Sequence, residues 1–377
     1  MKIRPRYWGF FLFLCFFVWL PTETEAAPVE IPEDYNLNEL QDTFDSLIGQ
    51  EYEFSFEKYF EDVMNGKEII SLEGILTEAL HILSEQWETG KDDLLRLILL
   101  GLLAGVFCNF SDTLGRKETG ETGFFIVYIL LFTILTAAFF TMINLAEEVL
   151  GNLLIFMKAL IPSLSLTLAA STGSATSMGF YQITLIGMTL VEFILLNFMI
   201  PAVSIYFMLA LANQLTHDNG RFTKLADLIH TFLRWSMKTL LAFIVGFQGI
   251  QMLLLPVMDQ VKRNVVMKTA GSVPGIGNTM NAVAETVLGS AILLKSVIGI
   301  GGIIGLCIVC AYPMIKMFVF IMMYRISAAI VQPISDKRIV QSLHVTSESG
   351  RLLLSIVFIS LLLFLFSIII VISMTRV

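Results

Sequence analysis

The pattern of apolar and polar positions divides the chain into three segments. Residues 1–26 begin with three basic residues and continue with an apolar stretch from Gly9 to Leu20, an order typical of a secretory signal peptide. Small residues precede a cleavage point after Ala26, and an uncleaved anchor is the alternative. Either interpretation places the next segment outside the cytoplasm.

Residues 27–93 carry apolar side chains at helical spacing, which predicts two or three amphipathic helices. The apolar stripes are Leu40, Phe44, Leu47 and Ile48; Phe56, Tyr59, Phe60 and Val63; and Leu72, Ile75, Leu76, Ala79, Leu83 and Trp87. A segment of this length forms only a marginal core by itself. We therefore expect the apolar faces to pack on the rest of the chain or on a partner.

Long apolar runs begin at Leu94, and several reach the roughly 20 residues that a membrane span needs. They predict an all-α polytopic domain over residues 94–377, with eight transmembrane helices or, as the alternative, seven. Pro201 is expected to kink or split the fourth run. The runs are Leu94–Phe110, Phe124–Leu145, Leu153–Ala170, Tyr181–Ala212, Trp235–Leu255, Ser290–Ala311, Met314–Val331 and Leu352–Met374.

The positions of Lys and Arg predict the orientation, because cytoplasmic loops are enriched in these residues. With eight crossings, Arg116 and Lys117 lie inside, and so do the basic residues of 262–268 and 337–338. The basic stretch Thr216–Arg234 is the exception. Either it lies in the interface as an amphipathic helix, or a hairpin or re-entrant segment changes the number of crossings.

Composition supports this division. Hydrophobic residues make up 56% and charged residues 15% of the chain, against about 45–50% and 25% in soluble domains. Residues 27–93 hold 18 Asp and Glu against 3 Lys and Arg, whereas residues 94–377 hold 12 against 18. An acidic extracytoplasmic segment thus precedes a mildly basic membrane domain. The acidic excess gives no support for nucleic-acid binding.

Helix breakers, a carboxylate and small residues occur together between Ser272 and Gly305. The stretch begins as a loop containing Pro274, continues as a helix with Glu285, and ends in a glycine-rich apolar run. Backbone that leaves regular helix at membrane depth must be surrounded by protein or line a watery cavity. Pro274 and Glu285 are therefore candidates for an intramembrane functional or packing role.

A weak internal repeat relates two parts of the membrane domain. A shift of 112 residues aligns Pro162 with Pro274 and Pro201 with Pro313. Few identities accompany the shift, so a chance match is the alternative to two copies of one unit. The polar run 171–177, close to Pro162, is interpreted as a loop or as a re-entrant turn that lines a cavity.

Several charged side chains lie within or beside apolar runs. They are Lys158, Glu192, Glu285, Lys295, Lys316 and Arg325. A charge at mid-bilayer costs on the order of 2.5–3.5 kcal/mol, so such groups face a bundle interior, a partner or water. Lys295, Lys316 and Arg325 are expected to extend to the interface. Glu192 is too deep for that, and it serves either as an interhelical partner or as a pathway residue.

Small residues indicate close helix contacts. Gly101-x-x-x-Gly105 and Gly301-x-x-x-Gly305 lie in apolar runs, where helix backbones approach one another. Cys307-x-x-Cys310 has apolar neighbours, which favours packing over redox or metal chemistry. The sequence contains no motif of a soluble enzyme, so we expect no catalytic residue, cofactor or metal.

The acidic amphipathic segment, the polytopic domain and the stretch SVPGIGNTMNAVAETVLGSAILLKSVIGIGGIIG together resemble the stage III sporulation protein AE family. The continuation AYPMIKMFVFIMMYRISAAIVQPISDKRI at 311–339 supports the resemblance, which covers about residues 30–377.

The resemblance implies a sporulation-specific subunit of a channel or secretion-like complex between mother cell and forespore, needed after engulfment for forespore development and late forespore gene expression. It implies a location in the mother-cell membrane around the forespore. The implied partners are other membrane proteins of the third-stage sporulation operon, a forespore-membrane protein and the lipid bilayer. The alternative, from the residues, is a self-sufficient secondary transporter that uses Glu192 and Glu285.

Overall fold

The computed structural model describes residues 37–48, 55–56, 58–59, 62, 72–113, 117–214, 222–270 and 277–374. Within them, every regular element is helical, which confirms the predicted all-α class. The elements are α1 (Leu37–Ile48), α2 (Leu72–Thr113), α3 (Lys117–Ser171), α4 (Ser174–Ile194), a π-helical turn (Leu195–Met199), α5 (Ile200–Asn213), α6 (Thr223–Ala270), α7 (Gly277–Val331) and α8 (Lys337–Ser373). The expected signal peptide, 1–26, lies outside the described residues.

Five helical stretches of the described part of the chain are long and apolar enough to cross a membrane. They are Phe125–Ser171, Ser174–Asn213, Thr223–Leu253, Gly289–Val331 and Lys337–Ser373. The chain is therefore a polytopic helical membrane protein, as the hydropathy pattern predicts.

Two pairs of expected spans each lie on one continuous helix. Helix α3 carries both Phe124–Leu145 and Leu153–Ala170, and α7 carries both Ser290–Ala311 and Met314–Val331. The polar residues between the first pair include an exposed Glu147. A charged side chain does not interrupt backbone hydrogen bonds, so a dip in hydropathy does not end a helix.

Prolines inside the two longest helices do not end them. Pro162 lies within α3 and Pro313 within α7, and each helix has 55 residues. Neighbouring helices and local adjustment of the backbone make such prolines tolerable in membrane helices. A helix of this length extends about 80 Å, whereas the hydrocarbon core of a bilayer is about 30 Å thick. Parts of α3 and α7 therefore extend outside the hydrocarbon core of the bilayer.

The amphipathic N-terminal segment packs on the membrane helices. The ring of Phe44 on α1 lies 5.3 Å from that of Phe56 and 6.1 Å from that of Phe156 on α3. All three rings are buried. The apolar face was expected to pack on the rest of the chain or on a partner, and its described residues pack on the chain's own helices. Helix α2 then runs without a break across residues 93 and 94.

Tyr128 joins three helices at one end of the bundle. Tyr128 lies near the start of α3. Its hydroxyl donates to the carbonyl oxygen of Leu211, near the end of α5, at 2.8 Å. The same hydroxyl lies 3.0 Å from Ser342 Oγ, near the start of α8. The end of α2 lies there too, since Gly101 packs against Val331, the last residue of α7. The end of α2, the start of α3 and the adjoining ends of α5 and α6 and of α7 and α8 therefore lie at one end of the bundle.

Candidate functional site

Glu192 is a buried carboxylate at the end of α4, with 1% of its surface exposed. Its Oε1 accepts a hydrogen bond from Ser360 Oγ of α8 at 2.5 Å, and its Oε2 has no partner. No ion pair involves Glu192 among the described residues. The buried thiol of Cys310 on α7 lies within electrostatic range of it. Glu192 thus connects α4 with α8 and keeps one unsatisfied oxygen.

A π-helical turn begins three residues after Glu192. It comprises Leu195–Met199 and joins α4 to α5 in one helical run. Pro201 has no N–H, and in a regular helix its ring would meet the carbonyl of Asn197. The wider π turn accommodates this proline, so the helix continues from α4 into α5. The split of the fourth apolar run at Pro201, which was one of two expectations, does not occur. Such π turns are rare and occur often at functional sites.

A second carboxylate, Glu348 on α8, has the opposite environment. Its Oε1 accepts from Arg234 Nη2 at 2.7 Å and from Arg351, and it lies 3.3 Å from His230 Nε2. The ring of His230 stacks on Tyr206 of α5, with centroids 5.0 Å apart. This charged cluster ties the start of α6 to α5 and α8. Sequence reasoning missed it because polar residues before the last apolar run resemble a loop, although the spacing of Glu348 and Arg351 is helical.

The other expected charges lie in different places. Lys158 is exposed on α3, so it does not join Glu192. Lys316 is exposed too, with Nζ 5.9 Å from the centre of the Tyr312 ring. Lys295 is fully buried, and its Nζ has no hydrogen-bond partner among the described residues. The expectation that Lys295 reaches the interface is therefore wrong, because α7 turns this side chain towards the interior.

Two of the expected positions cannot be located at the level of the side chain. Pro274 lies outside the described residues. The backbone of Glu285 belongs to α7, whereas its side chain lies outside what the structure describes. Both stay sequence-based proposals. Pro162 lies within the length of α3, and its side chain is exposed.

Gly301 and Gly305 lie where α7 meets the N-terminal segment and α3. A methyl group built on Gly301 would lie 2.9 Å from Tyr59 Cε1, and one on Gly305 would lie 2.8 Å from Phe156 Cζ. Burial raises the pKa of the Tyr59 phenol, so this group is neutral against Gly301. Both glycines allow aromatic rings to approach the α7 backbone.

The described thiols and acids offer no metal site. Cys310 is buried and Cys307 is half-buried on α7, and both are free. Within the described ranges, no group of three or more His, Cys, Asp or Glu side chains could hold a metal ion.

The polar run 171–177 forms a tight connection between α3 and α4. Only Thr172 and Gly173 separate the two helices, and Gly173 has a φ of 140°, which favours glycine. Ser177 Oγ donates back to the carbonyl oxygen of Ser165 at 2.5 Å. The run therefore closes a helical hairpin at the end opposite Tyr128.

Comparison with known proteins identifies the family. The family model for stage III sporulation protein AE matches residues 54–375. Stage III sporulation protein AE of Bacillus subtilis (strain 168) is 26% identical over 278 residues, which cover 74% of this chain and 69% of the relative. No solved structure is significantly similar. The match includes all of α2–α8, and the chain belongs to the stage III sporulation protein AE family.

Proposed function

We propose that this chain is a membrane subunit of a multiprotein channel or secretion-like complex that links mother cell and forespore. In this proposal it acts after engulfment and is required for forespore development and late forespore gene expression. Its partners are other membrane proteins of the third-stage sporulation operon and a protein of the forespore membrane. The family match over residues 54–375 carries the proposal, because it assigns the chain a role in sporulation.

The distribution of basic residues supports a defined orientation in the mother-cell membrane. Lys337 and Arg338 begin α8 at the Tyr128 end. In the sequence, Arg116 and Lys117 stand between α2 and the body of α3, and Arg221 stands between α5 and α6. The positive-inside rule assigns such an end to the cytoplasm. When the expected spans merge into α3 and α7, Thr216–Arg234 falls at the cytoplasmic end. The basic residues of 262–268, which were expected inside, then fall at the opposite end, which still carries fewer Lys and Arg. The opposite end then faces the space between the two membranes.

The N-terminal segment fits this orientation. Phe56 packs near Gly305, which is 26 residues before the end of α7. At 1.5 Å per residue, the contact lies about 40 Å from the cytoplasmic end. In this orientation the described residues around Phe56 lie on the intermembrane side, where a forespore partner could reach them.

Deletion of the gene tests the proposed function. We expect sporulation to arrest after engulfment, with late forespore-specific reporters silent and vegetative growth normal. The full-length chain supplied in trans should restore spore formation. A normal spore yield, or a growth defect due to lost nutrient uptake, would contradict the proposal.

A self-sufficient secondary transporter is the second candidate, favoured by the unpartnered Oε2 of the buried Glu192 near a π turn. Glu192→Gln and Glu285→Gln should then each abolish spore formation, while the amount of each variant in the membrane equals that of the native chain. Thr133→Val, which alters an exposed hydroxyl on α3, is a matched control. Full sporulation of both carboxylate variants would show that neither charge is needed.

A further inference from the structure

The helices α4–α5, α6 and α8 run in a fixed register. Helices α5 and α6 are antiparallel, because Asn213 bonds Thr223 and Tyr206 stacks on His230. The same register continues into α4, where Gly187 contacts Phe247. Helices α6 and α8 are parallel, because contacts from the start of α6 reach Glu348 and contacts from its middle reach Leu363 and Ser367.

Buried polar side chains follow this register along the interface of the three helices. Glu192 and Ser360 form the first pair. About two turns further along α8, Gln248 Nε2 donates to Ser367 Oγ at 2.7 Å and to the carbonyl oxygen of Leu363 at 3.3 Å. The constant register between α4 and α6 then sets Thr184 level with Gln251. These side chains form a buried polar column from Glu192 towards the α3–α4 hairpin.

Five polar atoms in this column have no partner. They belong to residues that are all at most 4% exposed. The atoms are Glu192 Oε2, Gln248 Oε1, Gln251 Oε1, Gln251 Nε2 and Thr184 Oγ1. Buried polar groups in native proteins are hydrogen-bonded with few exceptions. Five such exceptions on two facing helices, α4 and α6, indicate a shared ligand.

The chemistry of these atoms selects water. Four are oxygens that accept hydrogen bonds, and a cation could serve them as well. Gln251 Nε2 is a donor, however, and no cation accepts a hydrogen bond. Water does both, and buried waters typically make about three hydrogen bonds to otherwise unsatisfied groups.

We propose that ordered water fills this column and gives Glu192 a path for proton exchange that leads towards the α3–α4 hairpin. In the exchange, the Glu192 carboxylic acid gives its proton to the adjacent water and takes one back, so the column gains and loses no net charge. Cys310 is the ionisable neighbour on α7, and Ser360 is the partner on α8. The inference does not depend on the proposed sporulation complex, since it concerns the isolated chain.

Infrared spectroscopy of the purified full-length chain in lipid nanodiscs tests the proposal. A carboxylic acid band that disappears in Glu192→Gln should be present near neutral pH and should shift promptly after transfer to D2O. The double substitution Thr184→Val and Gln251→Leu should slow the shift by about tenfold or more, because it removes side chains that hold the water. Thr136→Val should leave it unchanged, since that unpartnered hydroxyl lies on α3 outside the column.

Two results would overturn the proposal. One is a Glu192 band that fails to shift in D2O in the native chain, which would mean a dry column. The other is the lack of any carboxylic acid band that Glu192→Gln removes, which would mean that Glu192 holds no proton to exchange. Thermal unfolding of each variant checks that the bundle is intact, and Gln251→Glu, which keeps a polar group, should retain fast exchange if the double substitution proves unstable.

Discussion

Gly305 is the position where packing of the N-terminal segment on the bundle can be measured. A methyl group built on Gly305 would lie 2.8 Å from Phe156 Cζ and 3.0 Å from Phe56 Cζ. Both rings are buried, so neither can turn into solvent. We expect Gly305→Ala to overpack this contact at a cost of about 1–3 kcal/mol.

Gly289→Ala is the matched control on the same helix. A methyl group built there has nothing within 4 Å. Both substitutions gain the helix propensity of Ala over Gly, about 1 kcal/mol. The difference in the free energy of unfolding between the two variants is therefore the overpacking cost alone, about 1–3 kcal/mol.

Thermal unfolding of the purified full-length variants in one detergent gives this difference. Phe56→Leu should be less destabilising in the Gly305→Ala background than in the native chain, because the shorter side chain makes room for the methyl group. Equal stability of Gly305→Ala and Gly289→Ala, together with additive effects of the Phe56 change, would refute the packing of this segment on α7.

Three further predictions concern the carboxylates and the orientation. Ser360→Ala should cost about 1–3 kcal/mol in unfolding experiments, because it removes the hydrogen bond from α8 to Glu192 Oε1; Glu192→Leu should restore stability in that background, and no recovery would contradict the pair. Glu348→Ala should destabilise by about 1–3 kcal/mol, since it removes hydrogen bonds to two arginines that are one-third exposed and stay partly hydrated, whereas an effect no larger than that of an exposed residue would argue against the cluster. An impermeant maleimide added to intact protoplasts should label Thr172→Cys and spare Lys337→Cys, and the reverse pattern would invert the proposed orientation.

Hydropathy and helical spacing predicted the class of the protein and the apolar face of its N-terminal segment. Phe44 and Phe56 were recognisable because apolar residues recurred on one helical face. The continuity of α3 and α7 was not recognisable, because hydropathy measures transfer from water, whereas continuity depends on backbone hydrogen bonds. The exposed Glu147 lowers the local hydropathy and leaves the backbone hydrogen bonds of α3 intact.

Glu192 was recognisable as a deep charge from its apolar neighbours alone. Its partner was not, because Ser360 lies 168 residues away, and nothing local to either residue connects them. The same holds for Gln248 and Ser367, which look like ordinary polar interruptions of apolar runs. A single sequence indicates how deep each residue lies in the membrane, but it says little about which helix the residue faces.

Affinity purification of the tagged chain from sporulating cells tests the central proposal most directly. Mild crosslinking after engulfment, followed by mass spectrometry, should recover a stable set of third-stage sporulation membrane proteins and a forespore-made partner, with crosslinks to the acidic segment. The same chain tagged and expressed during vegetative growth is the control for non-specific capture. Recovery of the chain by itself, in cells where its deletion blocks sporulation, would contradict a complex subunit and favour a transporter that acts independently.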